Sequence, residues 1–443
     1  MTQGSDRRGG SGILSRAMIV FFIHQNFPAQ YLHIAGHLAA IPQNRIYFIT
    51  QSEQNQLPRV IKLIYKPDLA ASPCHPYTGA FDLAVRTGTA VAEVCRKLRQ
   101  GGIVPDVIVG HAGWGETLFV KDVFPDVPLL ANFEYFYHAS GADVGFDPEF
   151  APPRPDDAPR LQVRNALNRM SFAASDWGHT ATAWQRSLFP AEMQRRITML
   201  HEGVDTARVA PDPDAWLKLA RENITLTGDD EIITYVARNL EPYRGFHVFM
   251  RALPEILSRR PRAQVLIAGA EGISYGDPPP QGGTWRTLLE NELADRLDLK
   301  RVHFLGHVSY ELYLNLLQIS SVHVYLSYPF VLSWSFIEAM AAGCLIVGAA
   351  TDPVLEVLRD GENGLAVDFF DTAAIADRVT EALDQPDLMR PLRVAARDTA
   401  LNDFDLERCI LPQWRRLIET LAAGRRPIRR APTDGLATRR QLR

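Results

Sequence analysis

Cysteine is scarce in this chain of 443 residues. Cys74, Cys95, Cys344 and Cys409 are scattered and share no Cys-x2-Cys spacing, which excludes the common zinc signatures and a disulfide scaffold and suits a reducing cytosol. Long apolar runs are missing as well. None approaches the roughly 20 residues that cross a bilayer, and Met18–Ile23 is too short for the apolar part of a signal peptide. An excess of one charge is also absent: 47 Lys and Arg against 51 Asp and Glu leave −4, so no global basic field argues for a nucleic-acid partner. No solenoid-type repeat is visible, and no Asp-x-Asp follows an expected strand to hold a divalent metal.

What is present is the material of a soluble enzyme. Hydrophobic residues make up 46% and charged residues 22%, enough for full cores in two or three domains. Short apolar runs alternate with amphipathic stretches twice over. The first series is Met18–Ile23, Arg45–Ile49, Asp106–Val109, Pro128–Ala131, Met170–Ala173 and Ile197–Leu200; helical periodicity falls at Gln30–Ala40, Leu83–Arg99 and Thr180–Leu188. A turn-rich stretch around 201–213 interrupts the pattern, which restarts at Glu231–Ala237, Gln264–Ala268, Arg301–Leu305, Val322–Leu326 and Leu345–Val347. Strands of four to six residues separated by helices predict doubly wound parallel sheets. The expected order is a disordered extension (1–17), a Rossmann-like domain (18–208), a second one (209–405), an amphipathic helix (406–421) and a basic tail (424–443). Arg425 to Arg443 hold seven Arg and one Asp, and a tail of this charge could dock on anionic lipid or serve only as a solubilising end.

Two such sheets in tandem form a cleft at the carboxyl ends of their strands. The segment Ser327–Gly343 reads as a loop feeding a helix that opens near Ser333–Ser335, where unbonded amides favour an anion. Glu338, a turn inside, could reach a sugar hydroxyl or be a solvated surface acid. His111 follows the strand Asp106–Val109, beside glycines. Phe133–His138 brings Glu134 and Tyr135 together as an acceptor wall or as core, and His24 follows the first strand.

Phe330–Gly343 with Cys344–Gly348, and then Asp352–Val357 and Asp360–Gly364, resemble the donor-site motif of retaining family 4 glycosyltransferases with the GT-B fold. Ala237–Phe246 resembles the loop that supplies two cations to the donor diphosphate in that family, with Arg238 on the family Arg, Arg244 where Lys is usual, and one extra residue between them. Arg301–Val308 resembles the strand and turn at the nucleotide base, bringing in His307, and Gln264–Gly269 resembles the neighbouring strand end, bringing in Gly269. The resemblance implies an α/β GT-B architecture of two facing Rossmann-like domains with the C-terminal helix crossing back. It implies transfer of a sugar from a nucleoside diphosphate to a hydroxyl of a glycan, lipid-linked or small-molecule acceptor, with retention, no cofactor and no metal, in the cytoplasm or at the inner membrane face. The roles it implies are His111 on the donor sugar, Arg238 and Arg244 on the diphosphate, Ser333, Trp334 and Ser335 at the helix start, and Glu338 on the ribose.

Two departures stand out. The first Glu of the family's Glu-x7-Glu is Phe330 here, and His24–Gln30 lacks the Gly-rich loop common after the first strand. Both leave open a degenerate GT-B protein that binds without turnover, or a GT-B nucleotide-sugar epimerase. A pyridoxal-dependent phosphorylase would need a longer chain.

Overall fold

Parallel strands buried on both faces are mostly apolar, and the strands at the centre of each sheet here are so apart from a few polar residues such as Thr234 and His323. The computed structural model describes residues 17–70, 73–219 and 223–427. In its N-terminal half lie β1 (Ile19–Ile23), β2 (Arg45–Thr50), β3 (Val60–Ile64), β4 (Val107–His111), β5 (Leu129–Asn132), β6 (Trp177–Thr180) and β7 (Ile197–Met199), all parallel, in the order 3-2-1-4-5-6-7. A short antiparallel hairpin follows, β8 (Trp216–Leu219) and β9 (Ile224–Thr227). The second parallel sheet is built from β10 (Ile232–Asn239), β11 (Gln264–Ala270), β12 (Val302–Gly306), β13 (Val322–Tyr325), β14 (Ile346–Ala349) and β15 (Leu365–Val367), in the order 12-11-10-13-14-15.

Strand order reverses between β1 and β4 in one sheet and between β10 and β13 in the other. Crevices open at such switch points because the following loops diverge to opposite faces. The loops after β1, β4, β10 and β13 carry His24, His111, Arg238 with Arg244, and Phe330 with Ser333.

The chain crosses back at its end. Residues 400–410 form two turns of π-helix, where the Val204 N–H donates to the Phe404 carbonyl and the Val204 carbonyl accepts the Leu406 N–H, beside the Thr206–Asp405 side-chain pair. Helix Leu411–Ala422 then lies on the N-terminal half. Trp414 is 1% exposed, its indole N–H donates to the His201 carbonyl at 3.0 Å, and it packs with Val20, Phe22, Tyr31 and Phe48.

A second crossing runs the other way. Residues 139–156 leave the N-terminal half and lie on the C-terminal one. Phe146 packs on Tyr328 and Phe369, Phe150 on His247 and Trp285, Asp147 bonds to Tyr328 and His247, and Glu149 pairs with Arg251 through both oxygens. Glu356 also reaches across, accepting the first two amides of helix Ala183–Ser187 at 2.8 and 2.7 Å.

Two expectations need correction. Met170–Ala173 is no strand; it ends the helix Asp157–Ala174, and the strand lies at β6. That helix buries polar residues, with Asn165 bonding both backbone groups of Tyr137 and Asn168 bonding the Tyr135 carbonyl, so its apolar period is broken. The final helix does not run unbroken from Leu406, because its first turn is π. Apart from residue 17 and residues 424–427, the expected extension and tail lie outside the described residues.

Candidate functional site

The two switch points face each other across a cleft of about 1030 Å³. That is at the upper end of small-ligand sites, with room for two substrates.

On the C-terminal side, β10 carries one extra residue against β11 between Val236 and Asn239. This bulge turns Arg238 out of the ladder into the cleft, where it is exposed and has no acidic partner among the described residues. Gly245 ends the loop in a left-handed conformation (φ 69°), and a Cβ there would fall 2.3 Å from Leu326. Glycine is therefore required to bring Arg244 close to the sheet. Arg244 is 7% exposed, and its Nη1 donates to Ser327 Oγ at 2.9 Å, the Val331 carbonyl at 3.0 Å and Tyr325 Oη at 3.4 Å. Tyr275 covers the guanidinium, 5.3 Å from its ring centre, because buried Glu241 accepts the backbone amides of Ser274, Tyr275 and Gly276. All of these partners are neutral, so Arg244 keeps a full positive charge at the cleft.

Ser333 opens helix Trp334–Ala341 but does not cap it: its Oγ pairs with Ser335 Oγ and its own N–H goes to Tyr325 Oη. The amide of Ser333 is thus committed, and the free end of the helix begins at Trp334, which is 47% exposed in the cleft wall. Glu338 is not among the cleft-lining residues. Its carboxylate accepts Tyr313 and Tyr310 hydroxyls at 2.7 and 2.8 Å, and burial pushes its pKa up. Ser335 and His307 also stand outside the lining, His307 being exposed, and Gly269 lies beneath it, where a Cβ would meet the Ala237 carbonyl at 2.7 Å. Phe330 does line the cleft. It packs on Tyr135, Tyr275 and Tyr243 with ring centres 4.7, 5.0 and 5.5 Å apart, an apolar plug at the position of the family acid.

On the N-terminal side, His111 is 1% exposed at the end of β4. Its Nδ1 accepts the Gly113 N–H at 3.0 Å, which puts the proton of the neutral ring on Nε2, 3.5 Å from Glu134 Oε2. Partial burial raises the Glu134 pKa, but His111 and Arg244 outweigh it and hold the carboxyl low. His24 lies edge-on to His111 at 5.1 Å, and burial together with that neighbour holds it neutral. Tyr135 is not wall but core. Its hydroxyl donates to Asp143 at 2.8 Å and to the Pro329 carbonyl across the cleft, so it ties the halves together.

Several residues had no sequence signal. Trp114 stacks parallel to His111 at 6.1 Å and is 43% exposed, a flat face beside the imidazole. Asp143 accepts Tyr135 from one half and Tyr243 from the other. Glu202 sits at the cleft floor near the Trp334 indole, and burial pushes its pKa up to about 7. Among the described residues no three His, Cys, Asp or Glu converge into a group able to hold a metal ion, and no helix is long and apolar enough to cross a membrane.

Residues 42–209 match the Glycosyl transferase family 4 group and residues 218–399 match Glycosyl transferases group 1. The GDP-mannose-dependent alpha-(1-6)-phosphatidylinositol monomannoside mannosyltransferase of Mycolicibacterium smegmatis is 29% identical over 288 residues, 61% of this chain and 67% of its own. The D-inositol 3-phosphate glycosyltransferase of Corynebacterium efficiens is 27% identical over 329 residues, 70% of each chain. Among solved structures, sucrose-phosphate synthase from Thermosynechococcus elongatus superposes with a TM-score of 0.70 at 18% identity, covering 92% of this chain and 100% of that one. HepE of Anabaena in complex with UDP superposes at 0.66 and 15%, covering 91% and 100%. With both halves matched in order and both sheets facing one cleft, the chain belongs to the family 4 glycosyltransferases of the GT-B fold.

Proposed function

We propose that this glycosyltransferase takes its sugar from a nucleoside diphosphate and delivers it to a hydroxyl acceptor with retention of configuration, needing neither cofactor nor metal. The observation that carries the reading is the pair Arg238 and Arg244, both without an acidic partner among the described residues, beside the uncapped start of helix Trp334–Ala341. Breaking a glycosyl–phosphate bond leaves charge on the diphosphate, and fixed cations in a cleft stabilise it without reorganising. The bond from the anomeric carbon to the phosphate oxygen breaks, the acceptor oxygen bonds to that carbon on the same face, and the acceptor proton passes to the departing phosphate. Nε2–H of His111 donates to the donor sugar over Trp114. The family resemblance assigns Glu338 to the ribose, although its carboxylate is held by Tyr310 and Tyr313 outside the cleft lining. Two similarities support a nucleotide-sugar donor: HepE was solved with UDP-glucose, and the Mycolicibacterium smegmatis relative is named for GDP-mannose.

Thermal unfolding with UDP, GDP, ADP and TDP tests the donor site. A ligand at 100 times its Kd adds about 2.7 kcal/mol of stability. One diphosphate should raise the midpoint, chelator should not abolish the shift, and the transfer product should keep the anomeric configuration of the donor by NMR. Silence with all four would favour a degenerate GT-B scaffold without a working donor site, for which Phe330 is the best structural argument.

A further inference from the structure

The N-terminal wall of the cleft carries a cation that donor chemistry does not use. Arg164, on helix Asp157–Ala174, is exposed and lines the cleft. Its guanidinium lies 3.7 Å over the centre of the Tyr137 ring, and its Nη2 donates to the Tyr137 hydroxyl at 2.6 Å. No acid pairs with it among the described residues. Its neighbours on the same wall differ: Arg160 is neutralised by Asp157, and Arg154 by Asp277 at 2.6 Å. Tyr137 in turn is fixed by Asn165, which bonds its N–H at 3.0 Å and its carbonyl at 2.8 Å. Arg164 is therefore held over an aromatic face and bonded to its hydroxyl on a rigid support, with most of its donors free. Beyond Tyr137 and Leu161, which both spaces share, the wall continues into a hollow of about 330 Å³ where Arg169, again without an acidic partner, stands near Phe136.

We propose that Arg164 is the recognition site for an anionic group on the acceptor, so that the substrate receiving the sugar carries a phosphate or a carboxylate beside its reactive hydroxyl. The inference rests on the transferase reading above. A planar guanidinium presents parallel N–H donors that suit either anion, and the ring contact and hydroxyl bond to Tyr137 position it before the ligand arrives. Arg238 and Arg244 lie on the opposite wall at the other switch point, so the two anions, donor and acceptor, would enter from opposite sides.

The test uses the full-length protein with its preferred nucleotide sugar. Transfer is measured to hexose 6-phosphates, to hexuronates and to the parent neutral hexoses, for the wild type, Arg164→Gln and Arg164→Lys. The expected result is a lower KM for one charged class, telling phosphate from carboxylate, and a KM for that class raised about 10- to 100-fold in Arg164→Gln, as for a lost hydrogen-bonded charge. Arg164→Lys should recover part of it, and nucleoside diphosphate binding should stay at the wild-type value in both variants. Equal use of charged and neutral acceptors by an active wild type would overturn the inference and leave the transferase reading standing. So would an Arg164→Gln that slows charged and neutral acceptors alike, since that marks a support for Tyr137 only. Absence of both transfer and diphosphate binding in the wild type would sink the transferase reading itself, and this inference with it.

Discussion

At the β10/β13 switch point the side chains facing the cleft are Arg238 and Arg244, and the partners of the buried one are hydroxyls and a carbonyl. At the β1/β4 switch point they are His24 and His111, each with Nδ1 already accepting a backbone N–H, and Glu134 held beside His111. The fold is the same in both halves, and so is the place where loops diverge. The difference lies in how each half treats charge. At its switch point the C-terminal half leaves positive charge without an acidic partner among the described residues. The N-terminal half fixes which ring nitrogen carries the proton and keeps His24 uncharged by burying it. Under the proposed reading, the β10/β13 switch point would hold a charged group and the β1/β4 switch point would present oriented hydrogen-bond donors to a neutral sugar.

The largest effect that would disturb this comparison is structural. Helix Leu411–Ala422 belongs to the N-terminal core, so Trp414→Ala should cost about 3–5 kcal/mol, the range for emptying a buried large aromatic site. Urea denaturation measures it, and a loss under 1 kcal/mol would show that the crossing helix is not part of that core. Next comes Arg244→Ala, expected to lower turnover by about 10²-fold or more, of the order of a lost charge-stabilising donor. Arg238→Ala should cost less, about 10-fold, because an exposed guanidinium is already screened. Steady-state rates at two salt concentrations separate the two arginines: the Arg238 effect should shrink in high salt and the Arg244 effect should not. Equal salt dependence would remove the distinction drawn here between a buried and an exposed cation.

The architecture was legible because parallel strands are apolar along their length: Ile19–Ile23 and Val107–His111 declare themselves by composition. Failures fell where burial is polar. Met170–Ala173 misled because the helix it ends packs Asn165 and Asn168 inward, and β6 was hidden because Trp-Gly-His-Thr has no apolar run although every residue in it is buried. The short edge strands β3 and β15 and the hairpin β8–β9 gave too few residues to show a period. In the site, the sequence pointed to loop residues that the structure places on the cleft, as with Arg238, Arg244 and His111. Residues whose role depends on a partner far along the chain were not legible. Tyr135 stood open between wall and core until Asp143 and Pro329 claimed its hydroxyl, and nothing local marked Glu202, whose surroundings come from both halves.

Glu202 supplies the finest test of the contrast, because it is an acid on the cleft floor that titrates near physiological pH. Its carboxyl is raised by burial to about 7, with His201 Nε2 3.8 Å away, Glu134 adding repulsion and the Trp334 indole opposing the rise. An unfolded glutamate titrates near 4.3, so between about 4.3 and 7 the folded chain holds a proton that the unfolded chain has lost. Stability contributed by this group is therefore full at acid pH, falls as pH rises through that window and levels off above 7, with a slope of at most about 1.4 kcal/mol per pH unit. Glu202→Gln removes the titration while keeping the shape, so it should flatten this part of the profile and match or exceed the wild type above pH 7. Unfolding free energies measured from pH 5 to 8 decide it: parallel profiles for the two proteins would mean that Glu202 is solvated and that the cleft floor is charged like the donor wall.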